Sequence, residues 1–218
     1  MLLRKNYNQV QKSAKINQLN FFKILTFTLK NCIVILGENM KTIFNQSDVK
    51  IIKIEEDDFL REQEKVTEVF GQIFESYEDE NDDFDEVQAN KNVNDVLDDL
   101  FMNEGSCLYI LFKQNVPVSS VVYSKQDDHM HLELVTTNKN YRAMGFAKLL
   151  TMQSFEDLAN DEIQDVSLIV NDTNYRSHAL QKSISGENGI KTYARKCADL
   201  TEYTFDISAL SNQNSLEY

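Results

Sequence analysis

The chain has 218 residues, 42% of them hydrophobic and 26% charged, with a formal net charge of −13. That balance belongs to globular proteins of one or two domains, and a single proline with only six glycines excludes collagen-like or Pro/Gly-rich disordered character. Three cysteines, Cys32, Cys107 and Cys197, are too few and too dispersed for a disulfide framework or a CxxC metal site. Buried reduced thiols and a reducing compartment are therefore expected.

Charge divides the chain. Residues 1–40 hold six basic residues and one acid, while the remainder carries −18. Their apolar stretch, Phe21 to Leu36, is broken by Lys23, Lys30 and Asn31, and is too short and too interrupted to span a membrane. A cytoplasmic location is expected, with the mitochondrion as the alternative if residues 1–40 act as a presequence. An extension without function ahead of a start at Met40 fits equally well. The overall acidity argues against nucleic acid as a partner and for cationic ones.

The alternating run Val49 to Ile54 predicts a strand. Phe59, Val66, Val69, Phe70, Ile73 and Tyr77 then recur at helical spacing. Between Glu75 and Glu86 eight of twelve residues are acidic and none is basic, the pattern of a solvated loop. Val93, Val96, Leu97, Leu100 and Phe101 predict a second helix. Strands are expected at Cys107 to Phe112, Val118 to Tyr123 and Met130 to Thr137. A helix buries Phe146, Leu149, Leu150, Phe155 and Leu158. A strand at Val166 to Val170, a helix at Thr173 to Ile184, and strands at Ile190 to Ala194 and Glu202 to Ile207 complete the pattern. This order predicts one α+β domain around a largely antiparallel sheet. The boundaries it suggests are a basic extension over residues 1–45, a domain over 46–210 and a polar tail over 211–218.

The chemistry concentrates in Leu132 to Leu150, LELVTTNKNYRAMGFAKLL. It holds Arg142-Ala143-Met144-Gly145-Phe146-Ala147, an RxxGxA pattern between a strand and a helix. Gly145 permits a tight turn, and the unpaired N–H groups and dipole of the helix start suit a pyrophosphate. From Glu133 to Glu156 no acid intervenes, while Lys139, Arg142 and Lys148 do, so an acidic chain keeps one cationic stretch. On the preceding strand, alternation puts His129, His131, Glu133 and Val135 on one face. No metal is expected, because His129 and His131 lack an evident third ligand.

These residues, and the element order around them, resemble the GNAT (Gcn5-related) N-acetyltransferase family over Val49 to Ile207. The resemblance implies the acyl-CoA N-acyltransferase fold, with a splayed strand and helices on both faces of the sheet. It implies acetyl-CoA as co-substrate, its pantetheine arm along Val135, Thr136 and Thr137 and its pyrophosphate on Arg142 to Ala147. It also implies an amine acceptor, with Glu133 or His131 as base. Asn174 resembles the asparagine of the family's NxxAxxLY pattern, with Ser177 and Leu180 in their places and Gln181 where the tyrosine stands. That tyrosine would protonate the departing thiolate, and Tyr175 or Tyr193 could substitute for it. Gly189-Ile190 resembles the family's closing GF, displaced by an insertion at Ser185 to Asn188. The implied function is N-acetyl transfer to a primary amine, probed against an alternative in which a weak or inactive GNAT-like module serves a larger assembly. The acidic run would then steer a cationic acceptor.

Overall fold

A computed structural model of the protein describes residues 40–74, 93–187 and 189–215. Eight strands form one mixed sheet in the order β1-β2-β3-β4-β5-β6-β8-β7. They are β1 (Thr42–Gln46), β2 (Val49–Glu55), β3 (Cys107–Lys113), β4 (Val116–Gln126), β5 (His129–Thr137), β6 (Asp165–Asn171), β7 (Lys191–Cys197) and β8 (Leu200–Asp206). Every pairing is antiparallel except that of β5 with β6. Four helices among the described residues complete the fold: α1 (Glu56–Phe74), α2 (Val93–Phe101), α3 (Phe146–Asn160) and α4 (Tyr175–Ile184).

The alternation along β3 sorts its side chains between two cores. Cys107, Tyr109 and Leu111 join the face covered by α3, with Leu150, Phe155 and Leu158. Leu108, Ile110 and Phe112 join the face covered by α1 and α2, with Phe59, Val66, Val69, Phe70, Ile73, Leu97, Leu100 and Phe101. The helical spacing read from the sequence therefore marks the buried stripes of α1 and α2. Tyr77 and the acidic run Glu75 to Glu86 lie outside the described residues.

The sheet begins earlier than Val49. β1 pairs with β2 from Thr42 opposite Ile52, ahead of the first strand that the sequence predicts. It is a short, largely exposed edge strand, so it lacks the apolar alternation by which strands are read. Cys197 also departs from expectation. Cys107 is buried, whereas Cys197 lies exposed at the end of β7, because β7 is an edge strand with almost no buried residue.

Two irregularities shape the middle of the sheet. Leu111 faces Ser119 and Phe112 faces Pro117, leaving Val118 as an extra residue in β4. The chain's one proline thus sits at a bulge, where its missing N–H is tolerated. Val122 faces Leu134 and Tyr123 faces Leu132, leaving Glu133 as an extra residue in β5. A bulge bends the strand and resets its alternation.

Candidate active site

The bulge at Glu133 coincides with the place where the sheet opens. β5 pairs with β6 only at Met130 with Val166 and His131 with Ser167, although it continues beside β4 to Thr137. From Leu132 onward, the β5 edge toward β6 has no strand partner among the described residues. Its backbone donors and acceptors face a wedge between two strands, and such groups need partners.

The loop beyond β5 closes one end of that wedge. Asn138 accepts a hydrogen bond from the Asn140 amide through its side chain, starting a 3-10 turn over Lys139–Tyr141. Arg142 donates from Nε to the Thr137 carbonyl at 3.2 Å, bracing the loop against the strand end. Ala143 (φ 59°) and Gly145 (φ 84°) then take left-handed conformations on either side of Met144, which is 61% exposed. Gly145 caps α3 without a side-chain hydrogen bond. A Cβ on it would meet nothing within 4 Å, so the position opens outward. α3 thus starts at an unobstructed position one loop beyond the parted strand, and unpaired first-turn amides with a positive dipole end are what favours phosphate at such a start.

The neighbouring residues divide by role. Phe146 is nearly buried, its ring edge-on to Tyr141 at 6.2 Å with the Lys113 ammonium 5.4 Å from its centre. The Ala147 carbonyl accepts a hydrogen bond from the Thr151 hydroxyl. Lys148 forms an ion pair with Glu187, in the turn after α4, so part of the cationic stretch is neutralised by the chain itself. The Thr136 side chain, 1% exposed, turns to Ser120, and only its backbone faces the wedge. Thr137 bonds to Ser119.

His131 and Glu133 lie beside the bulge. The His131 Nδ1 is 2.9 Å from the Ser167 hydroxyl of β6, at the point of divergence. Glu133 is exposed and accepts a hydrogen bond from Ser124. The expectation that Val135 shares their face does not hold. The extra residue at Glu133 puts Leu134 with the α1/α2 core and Val135 against the α3 core. Ser124 and Ser167 were not singled out in the sequence, since a bulge in β5 leaves no composition signal from which to infer them. His129 meets Asp128 instead, and no group of three metal-ligating side chains occurs among the described residues.

On the far strand, Asn174 caps α4 by accepting from the Ser177 amide at 3.0 Å. Gln181 is fully buried; its Nε2 lies 3.4 Å from the Ser177 hydroxyl and its Oε1 has no partner. An amide has no proton to release near neutral pH. Tyr193 lies on the far edge of the sheet, in β7. His131, Ser167, Thr204 and Tyr193 are successive cross-strand partners, and three strand spacings separate Tyr193 from His131 by about 14 Å. Tyr175 is 77% exposed at the start of α4.

A family model described as the acetyltransferase (GNAT) family matches residues 72–185, slightly more than half the chain. No curated protein matches by sequence. Solved structures are similar in fold. The PaiA N-acetyltransferase of Thermoplasma acidophilum, in complex with coenzyme A, is 12% identical with a TM-score of 0.52, over 72% of this chain and 98% of that one. RimL, a ribosomal L7/L12 α-N-protein acetyltransferase in complex with coenzyme A, is 12% identical with a TM-score of 0.52, over 78% and 99%. An N-acetyltransferase from Staphylococcus aureus Mu50 gives 11% and 0.52, over 74% and 99%. With its RxxGxA loop at the mouth of a parted β5–β6 pair, this chain belongs to the GNAT acetyltransferase family.

Proposed function

We propose that the protein is an acetyl-CoA-dependent N-acetyltransferase that transfers the acetyl group directly to a primary amine within a ternary complex. The parting of β5 from β6 after two residue pairs, beside an uncapped helix start, carries this reading. Residues fit the co-substrate: the free backbone edge at Val135, Thr136 and Thr137 would pair with the pantetheine arm. Arg142 to Ala147 would cradle the pyrophosphate, and Asn174 would border the opposite wall. Acetyl-CoA supplies an acyl group on a thiol leaving group.

The acceptor approaches the face that carries His131 and Glu133. Beyond β5 this face is open: Ile169 and Tyr193 are 56% and 60% exposed there. An alkyl amine with pKa about 10.4 is neutral only once in about 2,500 molecules at pH 7. Glu133 or His131 takes its proton, directly or through water, as nitrogen attacks the thioester carbon. The C–S bond then breaks, CoA leaves as a thiolate, which with a thiol pKa of about 8.5 needs no protein acid, and the second proton that the acylated nitrogen sheds passes through solvent to that thiolate. A buried Gln181 is compatible with that departure. The net charge of −13 supports a cationic acceptor.

The test follows CoA thiol release with a panel of amines against pH. Removing the true base, by Glu133→Gln or His131→Ala, is expected to lower kcat/KM at pH 7 about 10²-fold, with recovery at alkaline pH as the amine deprotonates by itself. Unchanged pH profiles in both variants would remove these two residues from the chemistry. Absence of thiol release with every amine would favour the binding module that Gln181 suggests.

A further inference from the structure

The two candidate bases on β5 are held from opposite flanks. Glu133 accepts a hydrogen bond from the Ser124 hydroxyl of β4, and Ser124 in turn accepts from the Gln126 amide at 3.3 Å. That chain lies where β4 and β5 stay paired, from Gln126 with His129 to Ser119 with Thr137. His131 is tied to the other flank. Its Nδ1 is 2.9 Å from the hydroxyl of Ser167 in β6, and His131 with Ser167 is the last residue pair before β5 and β6 part. The imidazole therefore stands at the apex of the wedge, while the Glu133 carboxylate is drawn toward the closed flank.

The Ser167 contact also divides the two ring nitrogens. With Nδ1 engaged, only Nε2 remains for a reacting group, and the hydrogen bond at one ring nitrogen sets what the other can do. A neutral imidazole carries one ring proton. For Nε2 to accept a second, the first must sit on Nδ1, and a serine hydroxyl has the lone pairs to receive it there. Ser167 is only 9% exposed, so little water competes for that place.

We infer that Ser167 is a positioning residue, which accepts the Nδ1 proton of His131 and so leaves Nε2, in place of Glu133, to serve as the base of acetyl transfer. The inference rests on the acetyl-transfer reading and narrows it to one side chain. An alkylammonium acceptor gives one proton to Nε2, and the nitrogen lone pair so freed attacks the thioester carbon. The ring becomes an imidazolium with its Nδ1–H still on Ser167, and it returns the added proton to solvent once the product leaves. Ser167 itself is unchanged by the step; it fixes the tautomer and the orientation of the ring.

The experiment has two arms on the full chain. In the first, CoA thiol release is measured for Ser167→Ala, Ser167→Thr, His131→Ala and the double variant Ser167→Ala/His131→Ala. Ser167→Ala is expected to lower kcat about tenfold, less than removal of the base itself, with the KM for acetyl-CoA unchanged. Ser167→Thr, which keeps the hydroxyl, is expected to restore the rate, and Ser167→Ala is expected to have no further effect once His131 is alanine. In the second arm, the ring nitrogens of His131 are read by 15N NMR of histidine-labelled protein in mild alkali, with His131→Ala assigning the signals. The wild type is expected to carry its proton on Nδ1, and Ser167→Ala to shift it toward Nε2. The inference is overturned by wild-type kcat in Ser167→Ala, by a threonine variant as slow as alanine, by a serine effect that persists without His131, or by a wild-type ring protonated on Nε2. Should the wild type release no thiol with any amine, the acetyl-transfer reading falls, and the ring nitrogens alone decide whether Ser167 fixes His131.

Discussion

At Gly145 the backbone is held at φ 84°, a conformation that L side chains rarely adopt, with open space where a Cβ would project. Gly145→Ala is therefore expected to lower stability by about 1 kcal/mol through the backbone alone, measured by urea unfolding. Gln181 is the reverse case, a polar side chain sealed in a core with an unpartnered Oε1. Gln181→Leu is expected to stabilise the protein by about 1 kcal/mol while leaving thiol release intact, because the amide contributes no proton. A loss of activity in that variant would give Gln181 a role that proton chemistry does not provide. The cysteines offer a third check at this scale. Burial pushes the Cys107 thiol up to about 12, whereas Cys197 is exposed. At pH 8 iodoacetamide is expected to label Cys197 and spare Cys107 until the protein is unfolded, as read by peptide mass mapping. A raised thiol pKa also means that stability falls as pH rises from the ordinary thiol range toward 12, since only the unfolded chain readily loses that proton.

Among the elements, α3 and the sheet are joined by polar groups that helical periodicity cannot anticipate. Asp157, nearly buried, accepts from the Tyr109 hydroxyl at 2.9 Å and meets Lys41 at 2.7 Å and Lys53 at 3.5 Å. One turn earlier, Ser154 bonds to the Tyr123 hydroxyl at 2.6 Å. Burial draws the Lys53 pKa down, but its hydrogen bonds to Asp161 and Glu55 outweigh that and hold it above the ordinary lysine value. The stability this gives is fully present below about pH 10.4, the unfolded value, and is lost as pH rises above it. Lys53→Met is expected to cost about 1 kcal/mol at pH 7, because the carboxylates it leaves, Asp161 and Glu55, are about half exposed and Lys41 still serves Asp157. Denaturant unfolding should find the gap to wild type narrowing in alkali. A constant gap would remove the charge from the explanation. The sequence made every element but β1 legible, because the buried strands and helices carry apolar residues at their own period, from Phe59 in α1 to Phe205 in β8. It made the RxxGxA turn legible because glycine and flanking cations are local signals. The face of Val135 and the pairing of Glu133 with Ser124 were not legible, because one extra residue in β5 reverses the alternation and leaves no local mark.

For the molecule as a whole, charge and access act together. In the proposed reading the parted strands would admit a co-substrate from one side, and among the described residues Ile169 and Tyr193 are exposed on the face that bears His131. A chain of net charge −13 with eight acids between Glu75 and Glu86 attracts a polycation over a Debye length of about 8 Å at physiological salt. The KM for a polycationic acceptor is expected to rise with salt, while that for a capped, singly charged lysine analogue changes little. Converting Asp79, Glu80, Asp82 and Asp83 to their amides should erase that difference in steady-state assays. Equal salt dependence in the wild type would sever the acidic run from acceptor capture. The proposal that the Arg142 to Ala147 loop holds acetyl-CoA underlies all of this chemistry, and a calorimetric titration of wild type and Gly145→Glu with acetyl-CoA tests it most directly. The open space at Gly145 means that the glutamate would meet the ligand's pyrophosphate, not the protein. One-to-one binding to wild type and none to a folded Gly145→Glu is the predicted result, whereas equal affinity in the two proteins would contradict the account.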